Sequence, residues 1–186
     1  MLLEFNEVLI EGERHTMSFT AGNGEVVCLT GGDDNRRACW TDAILGFTPV
    51  RHGYISIDGE PLTIQSAPVF RRMMAYVPST LKTIGEVRVY EPPTVQDVFA
   101  LKANRDLPIS NGILGEEMRK VGTDMGDQQT HLMAVGALLN KTILLIDSPA
   151  AAAMDYLRLL GSKGKLILIM SNNPEVASQC DHIIDF

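Results

Sequence analysis

The distribution of apolar and polar positions changes character at residue 24. Before it, residues 2–10 and 13–21 mix the two kinds with imperfect alternation and end in the turn Ala21-Gly22-Asn23-Gly24, which predicts two half-exposed strands. After it, Val26, Val27, Cys28 and Leu29 form a short apolar run bounded by glycines, the mark of a strand covered on both faces. Residues 38–47 carry apolar positions at helical spacing until Pro49 and Gly53 break the chain. Tyr54 to Gly59 then alternates cleanly, as a third edge strand would. Residues 71–78 give a brief helix end and the apolar strand Met74-Ala75-Tyr76-Val77, stopped by Pro78.

The pattern lapses over 79–93, read as a loop or irregular strand ended by Pro92-Pro93. Thr94 caps an expected helix over 95–103, and the polar 106–122, interrupted by Pro108, Gly112 and Gly115, reads as a small surface helix with loops. Regularity returns with a helix over 127–139 and the strand Thr142-Ile-Leu-Leu-Ile-Asp147, apolar enough to be a central parallel strand. A short helix over 150–160, a buried strand over 165–170, a helical turn or two over 174–179 and a strand over 182–186 complete the chain. Strands and helices alternating after residue 24 imply right-handed crossovers, one parallel sheet, and ligands at the carboxyl ends of its strands.

A chain of 186 residues suffices for one domain with a real core. Its net charge of −7, with no basic stripe, argues against nucleic acid as a partner. The three cysteines, Cys28, Cys39 and Cys180, are unevenly spaced and suit a reducing compartment better than a disulfide framework. No leader pattern and no apolar stretch of about 18 residues occurs, so a cytoplasmic protein is expected. His15, His52, His131 and His182 lack metal-ligand spacing, and the methionines read as gap-fillers.

Chemistry concentrates where the strand ending at Leu29 meets the following helix. A phosphate-binding loop has the pattern Gly-x-x-x-x-Gly-Lys-Ser/Thr, whose backbone N–H groups and lysine cradle phosphates while the hydroxyl holds Mg²⁺. Gly31 fits the first glycine, but Arg36 stands at the second, Arg37 at the lysine and Ala38 at the hydroxyl. Asp33 and Asp34 bring carboxylates beside the place of a polyanion; at ~5 Å and an effective dielectric of ~20 each opposes a unit phosphate charge by roughly 3 kcal/mol. Arg36 and Arg37 could neutralise these acids as a solvated pair or could clamp a phosphate. Asp147, ending its strand, suits either a loop cap or a metal contact, and Asp124 and Asp127 suit helix caps.

The segments Gly24 to Gly31, Ala43-Ile-Leu-Gly46, Gly53-Tyr-Ile-Ser-Ile-Asp-Gly59, Met74-Ala-Tyr-Val-Pro78, Ala137-Leu-Leu-Asn-Lys141, Ile143-Leu-Leu-Ile-Asp147 and Asn173-Pro-Glu-Val-Ala177 occur in the order and context of an ABC-transporter nucleotide-binding domain. The chain resembles a degenerate member of that family over essentially its whole length. The resemblance implies a single α/β domain over 1–186: a P-loop NTPase-like three-layer core with a mostly parallel sheet, an N-terminal antiparallel edge sheet, and an α-helical subdomain shortened to about 94–130.

It also implies a set of working positions, mostly substituted. Ser79 takes the place of the glutamine that contacts Mg²⁺ and the membrane subunit. The signature Leu-Ser-Gly-Gly-Gln resembles Asp124-Met125-Gly126-Asp127-Gln128, which keeps only Gly126 and Gln128. Asp147 is retained, while Ser148 stands at the general base and Asn172 at the switch histidine; no aromatic residue lies within 9–16 to stack an adenine. Nucleotide, if bound, would meet Gly31, Gly32, Arg36, Arg37, Ala38, Cys39 and Asp147, the last as sole metal contact. With base, metal ligand and γ-phosphate sensor all substituted, no cofactor is expected, and ATP with Mg²⁺ would be held weakly.

The expected function is that of a non-catalytic subunit docking on a membrane permease or an active ATPase paralogue, cytoplasmic and peripheral to the inner membrane through the permease. A weakly active ATPase subunit and a stand-alone interaction protein on the same fold are the alternatives. A weak homodimer is also expected, with Arg36 and Arg37 facing the partner's Asp124 and Asp127.

Overall fold

The computed structural model describes residues 1–79 and 110–186. The expected loop and the helix capped by Thr94 lie outside the described residues. A five-stranded, wholly parallel sheet divides the molecule: β3 (Val26–Thr30), β6 (Met74–Val77), β7 (Ile143–Asp147), β8 (Leu166–Met170) and β9 (His182–Asp185) run in the order β6-β7-β8-β3-β9. An antiparallel sheet of β1 (Leu2–Leu9), β2 (Met17–Gly22), β4 (His52–Ile57) and β5 (Glu60–Pro61) lies beside it in the order β2-β1-β4-β5.

Side-chain alternation with a period of two divides β3, β6, β7 and β8 between two cores, while β9 lies at the edge with Ile183 exposed. Val27, Leu29, Ile143, Leu145, Leu166, Leu168 and Met170 face the antiparallel sheet, α1 (Asp34–Ile44) and α2 (Ala67–Met73). Val26, Cys28, Leu144, Ile146, Ile167 and Ile169 face the opposite layer. That layer contains α3 (Asn111–Val121), α4 (Gln128–Leu138), α5 (Met154–Ser162) with a preceding 3₁₀ turn, and the short α6 (Pro174–Ala177). Covering both faces is what makes these strands apolar throughout. Among the described residues, no helix is long and apolar enough to cross a membrane.

Several expectations are corrected. The strand expected over 13–21 begins at Met17, after a bulge in β1 where Glu7 adopts φ 46°. The third strand is not at the edge: β4 pairs with β1 on one side and β5 on the other. The helix expected over 38–47 spans Asp34–Ile44, because Asp33 caps it several residues earlier than the apolar spacing indicated. The region read as a small surface helix contains α3, whose Leu114, Met118 and Val121 are buried at helical spacing; Gly122 ends it at φ 79°.

The β1 bulge brings backbone against Gly53, which has φ 70° and where a Cβ would overlap the carbonyl oxygens of Asn6 and Glu7. Gly59 has a similar φ of 82° but nothing within 4 Å of a Cβ. In urea unfolding, Gly59→Ala is expected to cost ~1–2 kcal/mol from the left-handed backbone alone. Gly53→Ala is expected to cost more than ~3 kcal/mol, since backbone overlap adds to the same strain. Equal losses would mean that the bulge relaxes freely.

Candidate functional site

The carboxyl ends of β3, β7 and β8 share one edge of the sheet: Asp147 is in register with Met170, and the Ser171 N–H donates to the Leu29 carbonyl at 3.1 Å. The loop following β3 is short. Gly31 and Gly32 have φ of 120° and 60°, and a Cβ on Gly31 would sit 2.8 Å from the Asp185 carboxylate, so the end of β9 approaches the turn too closely for a side chain. Asp33 is the N-cap of α1: its carboxylate accepts the Arg36 N–H at 2.9 Å, and its carbonyl accepts the Arg37 N–H at 3.0 Å. Residues that a phosphate-binding loop would leave open therefore form the first turn of a helix, and a side-chain carboxylate occupies its positive end.

Arg36 points away from Asp33. Its Nε donates to Glu13 Oε1 at 2.8 Å and a terminal nitrogen donates to Oε2, a two-point fork. The Glu13 side chain is only 8% exposed. The Arg36 guanidinium, and the Trp40 indole beside it, hold the Glu13 carboxyl below its ordinary range, although the indole N–H closes no hydrogen bond. Trp40, fully buried, packs at 5.6 Å from the Phe186 ring, over which Arg36 lies at 5.8 Å. Sequence reasoning searched residues 9–16 only for an aromatic ring and missed Glu13; no signal short of the fold joins it to Arg36.

Arg37 pairs with Asp34 and donates to the Gly32 carbonyl at 3.3 Å, leaving its buried Nε without a partner among the described residues. The expected neutralisation of Asp33 and Asp34 by the two arginines is thus corrected: only the Arg37–Asp34 pair forms. Ala38 and Cys39 are exposed on the first turns of α1. Asn172 holds the turn from the adjoining strand. Its Oδ1 accepts the Gly31 N–H at 2.8 Å and the Thr30 hydroxyl at 3.4 Å, and its Nδ2 donates to the Gly32 carbonyl at 2.8 Å.

At the end of β7, the Ser148 hydroxyl donates to Asp147 Oδ1 at 3.0 Å. Ser148 itself sits at φ 48°, with its N–H bonded to the Met170 carbonyl at 2.8 Å. For Mg²⁺ the donor set is thin: Asp147 offers one carboxylate already accepting a hydroxyl, and Ala38 offers nothing, whereas the ion requires near-octahedral oxygen ligation. Among the described residues, no cluster of three or more His, Cys, Asp or Glu side chains could hold a metal. Among the described residues, Asp147 is a strand-end carboxylate that could meet the ion, and Ala38 contributes no ligand.

The segment 124–128 precedes and enters α4. Asp127 caps that helix through the Thr130 N–H at 3.2 Å, as expected, but Asp124 closes a local turn through the Gly126 N–H at 2.8 Å and is not a helix cap. Met125 is exposed, as is Gln128. The next residue, Gln129, was missed: buried, it donates to the Asp147 carbonyl at 2.7 Å and to the Pro78 carbonyl at 3.3 Å, tying α4 to two strand ends and to the approach to Ser79, which is exposed. Arg36 and Arg37 are ion-paired within the chain to Glu13 and Asp34, whereas the exposed Asp124 and Asp127 accept N–H and hydroxyl groups only.

No family model matches the chain. A Rhizobium meliloti protein named as ribose/galactose/methyl galactoside import ATP-binding protein 2 is 24% identical over 99% of this chain and 41% of its own length. A Burkholderia cenocepacia protein named for the same import is 25% identical over 99% of this chain and 40% of its own length. The chain thus spans about two fifths of the length of these curated relatives. Among solved structures, an ATP-binding subunit of an ABC transporter superposes with a TM-score of 0.70 at 20% identity, covering 99% of this chain and 86% of that one. An ABC-transporter ATP-binding protein from Pyrococcus furiosus gives 0.74 at 15% identity, covering 100% and 97%.

Two outcomes are expected. Asn172→Ala should lower hydrogen-exchange protection at the Gly31 amide at least about tenfold, a loss of roughly 1.4 kcal/mol, while leaving Val27 unchanged; unchanged protection at Gly31 would show that the turn holds itself. The Glu13 pair adds a pH dependence. A carboxyl lowered in the folded state stabilises it above the ordinary value of 4.5, and that contribution disappears as pH falls through the lowered value. Glu13→Gln should therefore be less stable than wild type at pH 7 by ~1 kcal/mol, Arg36 being partly exposed, and the two unfolding curves should converge at pH below that range. A difference that persists into acid would remove the ion pair as its cause.

Proposed function

We propose that this chain, a homologue of ABC-transporter ATP-binding proteins with their cassette fold, is a non-catalytic version of that subunit. The observation that supports the reading is that charged side chains at the start of α1 are already paired within the chain. Asp33 supplies the anion at the start of α1, and Arg36 joins that helix to Glu13 in the segment where an adenine ring would rest. Phosphate brought to this place meets a carboxylate already hydrogen-bonded to the helix, and displacing it leaves a repulsive charge beside the ligand.

Hydrolysis has further requirements that these side chains do not supply. Ser148 is a hydroxyl that donates to Asp147, so it cannot take a proton from water as a carboxylate would. Ala38 cannot ligate Mg²⁺, and the Asn172 amide is engaged with Gly31 and Gly32. The alternative of weak ATPase activity draws support from Asp147, which keeps the strand-end position, and from Arg37 beside Gly32.

A subunit of this kind would act by docking. The partner proposed is a membrane permease subunit or a paralogous active ATPase, which would hold the chain at the cytoplasmic face of the inner membrane. Because the named relatives serve ribose, galactose or methyl galactoside import, a permease for small sugars is the first to test.

The direct test is steady-state phosphate release with Mg-ATP. Turnover is expected to equal that of an Asp147→Asn control, and turnover at least about tenfold above the control would overturn the non-catalytic reading.

A further inference from the structure

Among the described residues, the three most exposed large apolar side chains are Ile64 at 71%, Phe47 at 63% and Val69 at 58%, and all three lie where α1 ends and α2 begins. The two helices touch there. A Cβ on Gly46 would sit 2.6 Å from the Ala67 Cβ and 2.9 Å from a Leu62 methyl, so the residue before Phe47 lies against the first residue of α2. Ile64 stands in the turn ahead of that helix, which the Thr63 N–H closes by donating to the Ser66 hydroxyl at 2.8 Å. It also lines a groove of about 380 Å³ whose walls, Ala43, Val50, Tyr54 and Leu62 among them, carry no charged side chain. Contiguous apolar surface of this kind marks a binding face rather than ordinary exposure.

Cations border the patch. The Arg71 guanidinium lies over the Phe47 ring at 4.7 Å and donates to the Leu45 carbonyl at 2.9 Å, which holds that ring at the surface. Arg72, exposed, follows Val69 by three positions on α2 and so shares its face, and the Lys141 ammonium donates to the Arg72 carbonyl at 2.7 Å. Among the described residues none of these three cations is ion-paired to a carboxylate; Arg51 is paired to Glu11, and the exposed Asp42 and Glu60 join no ion pair. We propose that this face binds an anionic lipid surface, with Phe47, Ile64 and Val69 entering the headgroup boundary and Arg71, Arg72 and Lys141 meeting lipid phosphates. Protruding apolar side chains bordered by cations suit such an interface, because the apolar groups leave water while the charges stay at headgroup depth. The net charge of −7 does not prevent the contact, since exposed charges beyond a Debye length of about 8 Å are screened. The inference rests on the proposed inner-membrane location and names a surface for it.

The test is sedimentation of the full chain with vesicles in the absence of permease and nucleotide, so that its failure leaves the non-catalytic reading standing and the reverse. The vesicles are phosphatidylcholine alone and equal parts phosphatidylcholine and phosphatidylglycerol. Wild type is expected to pellet with the mixed vesicles at least about tenfold more than with phosphatidylcholine, and to be released as salt rises from ~0.1 M to ~1 M. Phe47→Ser/Val69→Ser and Arg72→Glu should each lower the partition at least about fivefold at unchanged melting temperature, all three positions being exposed. Arg119→Glu, the same charge change at an exposed position on α3, should pellet as wild type does. No pelleting with the mixed vesicles, equal pelleting with both kinds, or a loss in Arg119→Glu as large as in Arg72→Glu would each overturn the proposal. Pelleting only with vesicles that carry a reconstituted sugar permease would also overturn it, by assigning the face to a protein partner.

Discussion

A helix that starts at the carboxyl end of a buried parallel strand leaves its first N–H groups without intrahelical partners, and something must accept them. In this chain the acceptor is internal. Asp33 turns the residues after Gly32 into the first turn of α1, and the placement of both arginines follows from that early start. Once the helix begins at Asp34, Arg36 lies on its first turn and its guanidinium reaches Glu13, while Arg37 folds back to Asp34 and Gly32. Asn172 then has two loop groups to hold, the Gly31 N–H and the Gly32 carbonyl, and its amide satisfies both.

The same strand edge shows how a framework persists beneath altered chemistry. Packing on both faces constrains β3, β7 and β8, because each side chain meets one of two cores. Beyond the strand ends the constraint is local, as at Gly31, where a Cβ would meet Asp185 and Phe186. Gln129 illustrates the connection between the two: buried at the start of α4, it bonds the carbonyls of Asp147 and Pro78, so the helical layer is registered to the strand ends whatever side chains project from them.

Most of the fold was legible in the sequence because burial on two faces writes an uninterrupted apolar run, as in Ile143 to Ile146, and burial on one face writes alternation, as in Leu3 to Asn6. Helix starts were less legible. The apolar spacing of α1 begins near Ala38, and only the Asp33 cap moves its start back to Asp34. The site divides in the same way. Gly31, Asp147 and Asn172 could be placed by their positions after strands, whereas the Arg36–Glu13 pair joins residues 23 apart across two layers and leaves no periodic trace. Gln128 drew attention through its motif, yet Gln129 is the buried one, a distinction that depends on which face of α4 meets the sheet.

On the proposed reading, the Asp33 cap and the Arg36–Glu13 pair leave no room for a nucleotide phosphate at the start of α1. Isothermal titration calorimetry with Mg-ATP tests it most directly, run in parallel on wild type and on Glu13→Gln/Asp33→Asn, which removes both internal carboxylates. Wild type is expected to show no saturable binding up to about 1 mM nucleotide, a free energy weaker than roughly −4 kcal/mol. Saturable binding by wild type with a sub-millimolar Kd would contradict it, whatever the variant did.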